Sequence, residues 1–210
     1  MIAEGFWRGS TTLIAGPTGS GKTIIGLHFV QDGVARGEES LYVGFQENPT
    51  QLARIMRNFS WLGEKVTVPG FELMYASPVE VQLDTIAHQI FRRVSEGRIS
   101  RIVIDALGDL ERGSFDSERF ANFIYALTQW FAAKNVTCLM TYEINSLFEV
   151  KGVSNNDLSN LSDNVVLLRF KDGPEIKRTL QIVKTRGSAH DSREHELEIT
   201  NKGILVKKVK

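Results

Sequence analysis

An α/β fold is predicted, with a mainly parallel sheet flanked by helices and an antiparallel strand extension toward the C-terminus. Three observations predict it. Apolar, β-rich runs alternate with helical patterns through the first two thirds of the chain, the pattern of a parallel sheet covered on both faces. A glycine-rich turn, GPTGSGKT at residues 16–23, sits between a strand run and a helix. After residue 164 the helical patterns stop, and short strand-like runs follow one another across turns.

Residues 10–15 form the first strand candidate, and residues 23–35 the first helix, closed by Gly37. The run SLYVGF at 40–45 is β-rich. Asn48, Pro49 and Gln51 then spell a helix start: an N-cap, a proline in the first helical position, and the returning partner of a capping box. That helix should run to about Asn58. Residues 71–76 are strand-like. Residues 84–95 are helical, with Ile86, Ile90 and Val94 on one face and Gly97 after it. Residues 101–104 read as a buried strand ending in Asp105. Residues 117–134 carry the clearest amphipathic pattern, through Phe120, Phe123, Ile124, Leu127, Trp130 and Phe131. Residues 136–142 are a further buried strand. The short runs 165–170, 178–184, 196–200 and 204–206 are joined by turns such as Asp172-Gly173-Pro174 and Asn201-Lys202-Gly203, and make the antiparallel extension. No linker-like stretch divides the chain, so one domain over 1–210 is expected. The first strand begins within about ten residues, as in a domain taken from a longer protein; a naturally short chain reads the same way.

Composition narrows the function classes. Hydrophobic residues make up 42% and charged residues 24% of 210, ordinary for a water-soluble protein. Basic and acidic residues balance at 25 each, which gives no electrostatic reason to expect nucleic acid or an anionic membrane as partner. No run is long and apolar enough to span a bilayer, and the first ten residues lack the basic start and apolar core of a secretory signal. The lone cysteine, Cys138, lies in an apolar run, where a small buried hydrophobe is expected rather than a reactive thiol. A cytoplasmic setting fits.

The motif at 16–23 matches G-x-x-x-x-G-K-[ST]. Gly16, Gly19 and Gly21 let the chain curl so that backbone N–H groups, including those near Thr18 and Ser20, face one point. With the following helix N-terminus they make a phosphate cradle. Lys22 brings a point charge to the β- and γ-phosphates, and the Thr23 hydroxyl is a hard oxygen ligand for Mg²⁺. Asp105, closing its strand, is the natural acidic partner of that metal. ATP with Mg²⁺ is the implied ligand.

With these residues placed, the chain resembles the KaiC-type ATPases of the RecA superfamily over nearly its whole length. The shared segments are GPTGSGKT at 16–23, LYVGFQENP at 41–49, RIVIDAL at 101–107, LSDNVVLL at 161–168, KTRGSAHD at 184–191 and EITNKGI at 198–204. The resemblance implies a homo-oligomeric ring, a hexamer in this family, with ATP between neighbouring subunits. Lys184 and Arg186 would reach the nucleotide from the adjacent subunit, with His190 and Asn201 nearby; a charged fork there neutralises and senses the γ-phosphate. The family carries two adjacent glutamates after the second strand, the first acting on the attacking water. Here the pair reads Gln46-Glu47. An amide positions water but cannot take its proton, so slow hydrolysis and a signalling role with regulatory protein partners are expected, and Gln46→Glu should speed turnover unless Glu47 already serves as the base.

Two alternatives stand beside this reading. In the family's second ATPase repeat, adjacent serine and threonine residues are autophosphorylated. The matching stretch here is 154–160, where Ser159 is the candidate phosphoacceptor and Asn160 replaces the threonine. The other alternative is a RecA- or RadA-like DNA-dependent ATPase. Its DNA loops would be 108–117, with Asp109, Glu111 and Asp116 against Arg112, and 145–160, with Lys151 against Glu149 and Asp157. Such loops grip phosphates poorly.

Overall fold

In the computed structural model, residues 5–60, 68–79, 81–114, 116–144 and 158–208 are described. Nine strands form one sheet in the order β3-β2-β4-β5-β1-β6-β7-β8-β9. The parallel part comprises β1 (Thr11–Gly16), β2 (Glu39–Gly44), β3 (Phe71–Tyr75), β4 (Ile99–Asp105), β5 (Thr137–Glu143) and β6 (Asn164–Lys171). Antiparallel pairing then adds β7 (Lys177–Thr185), β8 (Glu194–Thr200) and β9 (Gly203–Lys208). The helices are α1 (Lys22–Ala35), α2 (Pro49–Arg57), α3 (Leu83–Glu96), α4 (Leu107–Arg112) and α5 (Ser117–Ala133).

Alternate residues of the central strands feed two cores, because successive strand side chains point to opposite faces. Leu13, Leu41, Val43, Ile102, Ile104 and Met140 pack with Ile86, Ile90, Leu110, Phe120, Ile124 and Phe131 of α3, α4 and α5. Ile14, Tyr42, Val103, Leu139 and Val166 pack on the other side with Leu27 and Val30 of α1 and Leu52 and Met56 of α2. Both faces are apolar, so these strands read as continuous hydrophobic runs. Cys138 is fully buried in the first core, and burial pushes its thiol well above the ordinary range.

The capping box of α2 is present in both directions. The Asn48 side chain accepts from the Gln51 backbone N–H, and the Gln51 side chain accepts from the Asn48 N–H, each at 3.0 Å. One expectation fails. Residues 108–117 were expected to be a loop, but α4 occupies the first half of that stretch. Leu107 and Leu110, both fully buried, pin this short helix to the core beneath it. Of the second expected loop, residues 145–157, including Glu149, Lys151 and the 154–157 part of the phosphoacceptor stretch, lie outside the described residues.

Sheet order decides where the site forms. β1 lies at the centre with parallel neighbours on both sides. The C-terminal ends of β1, β2, β4 and β5 are aligned in register, Gly16 with Glu143 and Gly44 with Asp105. Crevices at this edge of an open α/β sheet are where ligands bind.

Candidate functional site

The 16–23 turn leaves β1 and enters α1 at this edge. Gly21 is the residue before the helix, in the left-handed region at φ 105°, and Gly19 is also left-handed at φ 78°. A Cβ at Gly21 would also meet Ile199 Cδ1, the movable end of its side chain, so Ile199 would have to shift. Gly21→Ala is therefore expected to lower the unfolding midpoint by about 3–6 °C and to weaken nucleotide binding. Thermal unfolding and ATP titration of the variant check this.

Lys22 is nearly buried at the base of the turn. Its Nζ donates to the Gly16 and Pro17 carbonyls at 2.8 and 2.9 Å. Burial pulls its ammonium below the usual value, opposed by the carboxylates of Glu143 and Asp105. The Thr18 hydroxyl donates to Glu143 Oε1 at 2.7 Å. Ser20 Oγ is buried with no hydrogen-bond partner among the described residues.

Asp105 is the polar hub. Thr23 Oγ1 donates to its Oδ2 at 2.7 Å. The Tyr42 hydroxyl donates to the same oxygen and the Thr141 hydroxyl to Oδ1. Burial, then the Asp105 charge, raise the Tyr42 phenol well above its ordinary range, so it remains a donor. Three hydroxyls from three elements, α1, β2 and β5, thus converge on one carboxylate at the end of β4. The two residues expected to hold Mg²⁺, Thr23 and Asp105, are in direct contact. Among the described residues no cluster of three or more His, Cys, Asp or Glu could hold a metal by itself. A hydroxyl and a carboxylate beside a phosphate cradle suit Mg²⁺, which binds few protein oxygens and keeps phosphate and water ligands.

A cleft of about 420 Å³ opens over this hub. Thr18, Gly21, Lys22 and Thr23 form its floor, and Gln46, Glu47 and Glu143 one wall. Burial, followed by Asp105, raises the Glu47 carboxyl above its ordinary value. The opposite wall holds Phe59, Arg178 and Ile199, which sequence reading missed. Arg178 Nε donates to the Gly19 carbonyl at 3.0 Å. Phe59 and Arg178 lie outside every shared segment, and Ile199 falls within 198–204 without being singled out there; the antiparallel strands and the end of α2 deliver all three. Asn201 belongs to this side as well: its carbonyl accepts from Ser60 Oγ at 2.8 Å, beside Phe59.

Lys184 and Arg186 do not line this cleft. Antiparallel pairing sets Thr185 opposite Asn164, at the far edge of the sheet from the phosphate turn. β7 passes the cleft at Arg178, so Arg186 lies roughly 25 Å further on at about 3.3 Å per residue. Lys184 Nζ donates to the Ser159 and Ser162 carbonyls at 2.8 and 2.7 Å. Burial, then the Arg186 charge, lower its pKa. Arg186 extends outward, its side chain 65% exposed, with Asp163 Oδ1 at 3.3 Å. His190 follows in the segment between β7 and β8, and Ser159 shares the Lys184 end. The expected site residues therefore form two groups on one chain, at opposite sheet edges.

Comparison with known proteins agrees in extent. The family model described as "ATPase: KaiC" matches residues 1–210. The chain is 27% identical over 209 residues to the circadian clock oscillator protein KaiC of Picosynechococcus sp., covering 99% of this chain and 40% of that protein. It is 29% identical to the circadian clock protein KaiC3 of Synechocystis sp., covering 99% and 41%. It is 27% identical to the KaiC oscillator protein of Synechococcus elongatus, covering 99% and 40%. The chain thus spans about two fifths of the length of these relatives.

Proposed function

The chain belongs to the KaiC ATPase family, and from that premise we propose that it binds Mg²⁺–ATP in the cleft above Asp105 and hydrolyses it slowly. One observation carries this reading: the phosphate turn, Lys22 and the Thr23–Asp105 contact meet at the C-terminal edge of the parallel sheet. The turn and the α1 N-terminus hold the triphosphate, and Lys22 turns its ammonium from loop carbonyls to phosphate oxygens. Thr23, with Asp105 behind it, would hold Mg²⁺, which would supply charge neutralisation at the triphosphate. Phe59 and Ile199 give the base an apolar wall, with Arg178 beside it. Gln46 orients water at the γ-phosphate side.

The nucleotide completes its site between copies of the chain in a ring, with Arg186 contributed by the neighbour. The argument is distance: Arg186 cannot reach its own cleft, yet it is extended toward solvent with the Asp163 carboxylate beside it. Assembly and turnover of this kind suit a regulatory ATPase that signals to protein partners. Ser159, at the Arg186 edge, is the place where autophosphorylation would occur in such an arrangement.

The test is steady-state phosphate release from ATP, with and without Mg²⁺ and single-stranded DNA. Release is expected to need Mg²⁺ and to change less than about twofold with DNA, since α4 offers one cation, Arg112, already paired with Asp109, where a DNA loop would need several. Absence of ATP binding at millimolar nucleotide would sink the proposal. Strong, salt-sensitive stimulation by DNA would favour the recombinase reading.

A further inference from the structure

Gln46 and Asp109 face one another across the cleft wall. Gln46 follows Phe45, which is fully buried and whose N–H donates to the Asp105 carbonyl at 3.2 Å. The Gln46 side chain lines the nucleotide cleft and also an adjoining hollow of about 390 Å³. Its Nε2 lies 3.2 Å from Asp109 Oδ2. A carboxylate only accepts, so the amide must present its NH₂ to Asp109. The other arm of the amide is then the acceptor oxygen, on a residue that lines the cleft.

Asp109 is built to hold still. Its side chain is fully buried, and its second oxygen accepts from Arg112, whose own side chain is 67% exposed. Its backbone is fixed within α4, which Leu107 and Leu110 anchor. Nothing in the phosphate chemistry described above uses this buried carboxylate.

We infer that Asp109 is a positioning residue: it fixes the Gln46 amide with its carbonyl oxygen toward the γ-phosphate side of the cleft, and the two residues work as a matched pair. The inference rests on the ATPase reading of the cleft. It also revises the sequence expectation for Gln46→Glu. A carboxylate at position 46 would meet the buried Asp109 carboxylate at hydrogen-bond distance. Glu47, Asp105 and Glu143 add negative charge from β4, β5 and the same turn, against Lys22 and Arg112. Gln46 is itself exposed, but Asp109 is fully buried, and a like charge this close to it disfavours ionisation of both. The substituted side chain would be expelled from the wall or neutralised, and it would not act as a base.

Asp109→Asn fails for a different reason. Arg112 claims the oxygen of the new amide, so its NH₂ faces Gln46 and forces that amide to turn over. The cleft then receives a donor where an acceptor is needed. Combining Gln46→Glu with Asp109→Asn reverses the polarity of one hydrogen bond, so a new NH₂ donates to the new carboxylate. That pair fits again.

The experiment measures phosphate release and the thermal unfolding midpoint for the whole chain as wild type, both single variants and the double variant. Lys22→Ala sets the nucleotide-independent background. Each single variant is expected to lower kcat about fivefold or more with KM for ATP within about twofold, because orientation and not ground-state binding is lost. Each should also lower the midpoint by about 3 °C. The double variant should recover the midpoint and reach at least the wild-type kcat, since a held carboxylate can take a proton. A double variant no better than the worse single variant in both measurements overturns the inference. Coupled midpoints with unchanged kcat in every variant overturn the positioning role. If the wild type releases no phosphate above the Lys22→Ala background, the ATPase reading fails, while coupled midpoints still establish the matched pair.

Discussion

Lys22→Ala is expected to weaken ATP binding about a hundredfold, the equivalent of one or two charge-assisted hydrogen bonds to phosphate. The fold should survive. Among the described residues Lys22 Nζ bonds to the Gly16 and Pro17 carbonyls alone, and no core cluster includes its stem. Its ammonium is, if anything, a burden on the empty fold. Burial lowers its pKa, so folding disfavours the charged form. That penalty is fully present at pH values below the folded pKa and fades as pH rises through the unfolded one. At neutral pH the variant therefore loses two hydrogen bonds but also sheds an unfavourable desolvation, and its midpoint should move by no more than about 3 °C. Titration with a fluorescent ATP analogue, beside thermal unfolding, separates the two effects. Wild-type affinity in a folded variant would remove the phosphate-cradle reading altogether.

The phosphate turn was legible because its chemistry is local. Gly16, Gly21, Lys22 and Thr23 are consecutive or nearly so, and a strand before and a helix after them suffice to place the cradle. Asp105 was legible because it ends an apolar run whose residues are buried on both faces. The continuous apolar runs of β1, β2, β4 and β5, alternating with helical patterns, likewise marked buried parallel strands, and the capping box at Asn48 marked the start of α2. Sheet order was not legible. Nothing in the apolar runs themselves says that β4 lies between β2 and β5, or that β7 returns antiparallel along β6.

The missed residues share that cause. Tyr42 and Thr141 look like ordinary strand residues; only the register of β2, β4 and β5 brings their hydroxyls to Asp105. Phe59, Arg178 and Ile199 come from three separate segments and meet only over the turn. Asp109 was counted as an acidic residue in a loop, because two leucines three apart are too short a pattern to announce α4. Its pairing with Gln46 turns an apparent loss of a catalytic base into a local exchange of polarity, which a sequence pattern at one position cannot display.

Arg186→Ala should reduce ATP turnover a hundredfold or more while leaving ATP binding to the isolated chain almost unchanged. Arginines supplied to a γ-phosphate from a neighbouring subunit are worth about 10³–10⁵ in rate, and Arg186 is too far from its own phosphate turn to contribute to binding there. Its local partner, Asp163, is a poor reason for the loss, because a largely exposed ion pair stabilises little. Lys184 makes a useful contrast. Its ammonium is engaged by two carbonyls of the turn before β6, so Lys184→Ala should lower stability as well as rate. The decisive arm mixes Arg186→Ala with Lys22→Ala. In a head-to-tail ring every interface takes its phosphate turn from one subunit and its arginine from the next. An equal random mixture would give intact pairs at roughly a quarter of its interfaces, and about that share of wild-type turnover. Native mass measurements must show mixed assemblies in the same sample. Mixed rings with no recovered turnover would place Arg186 outside the reaction, and full turnover of Arg186→Ala alone would do the same without any mixing.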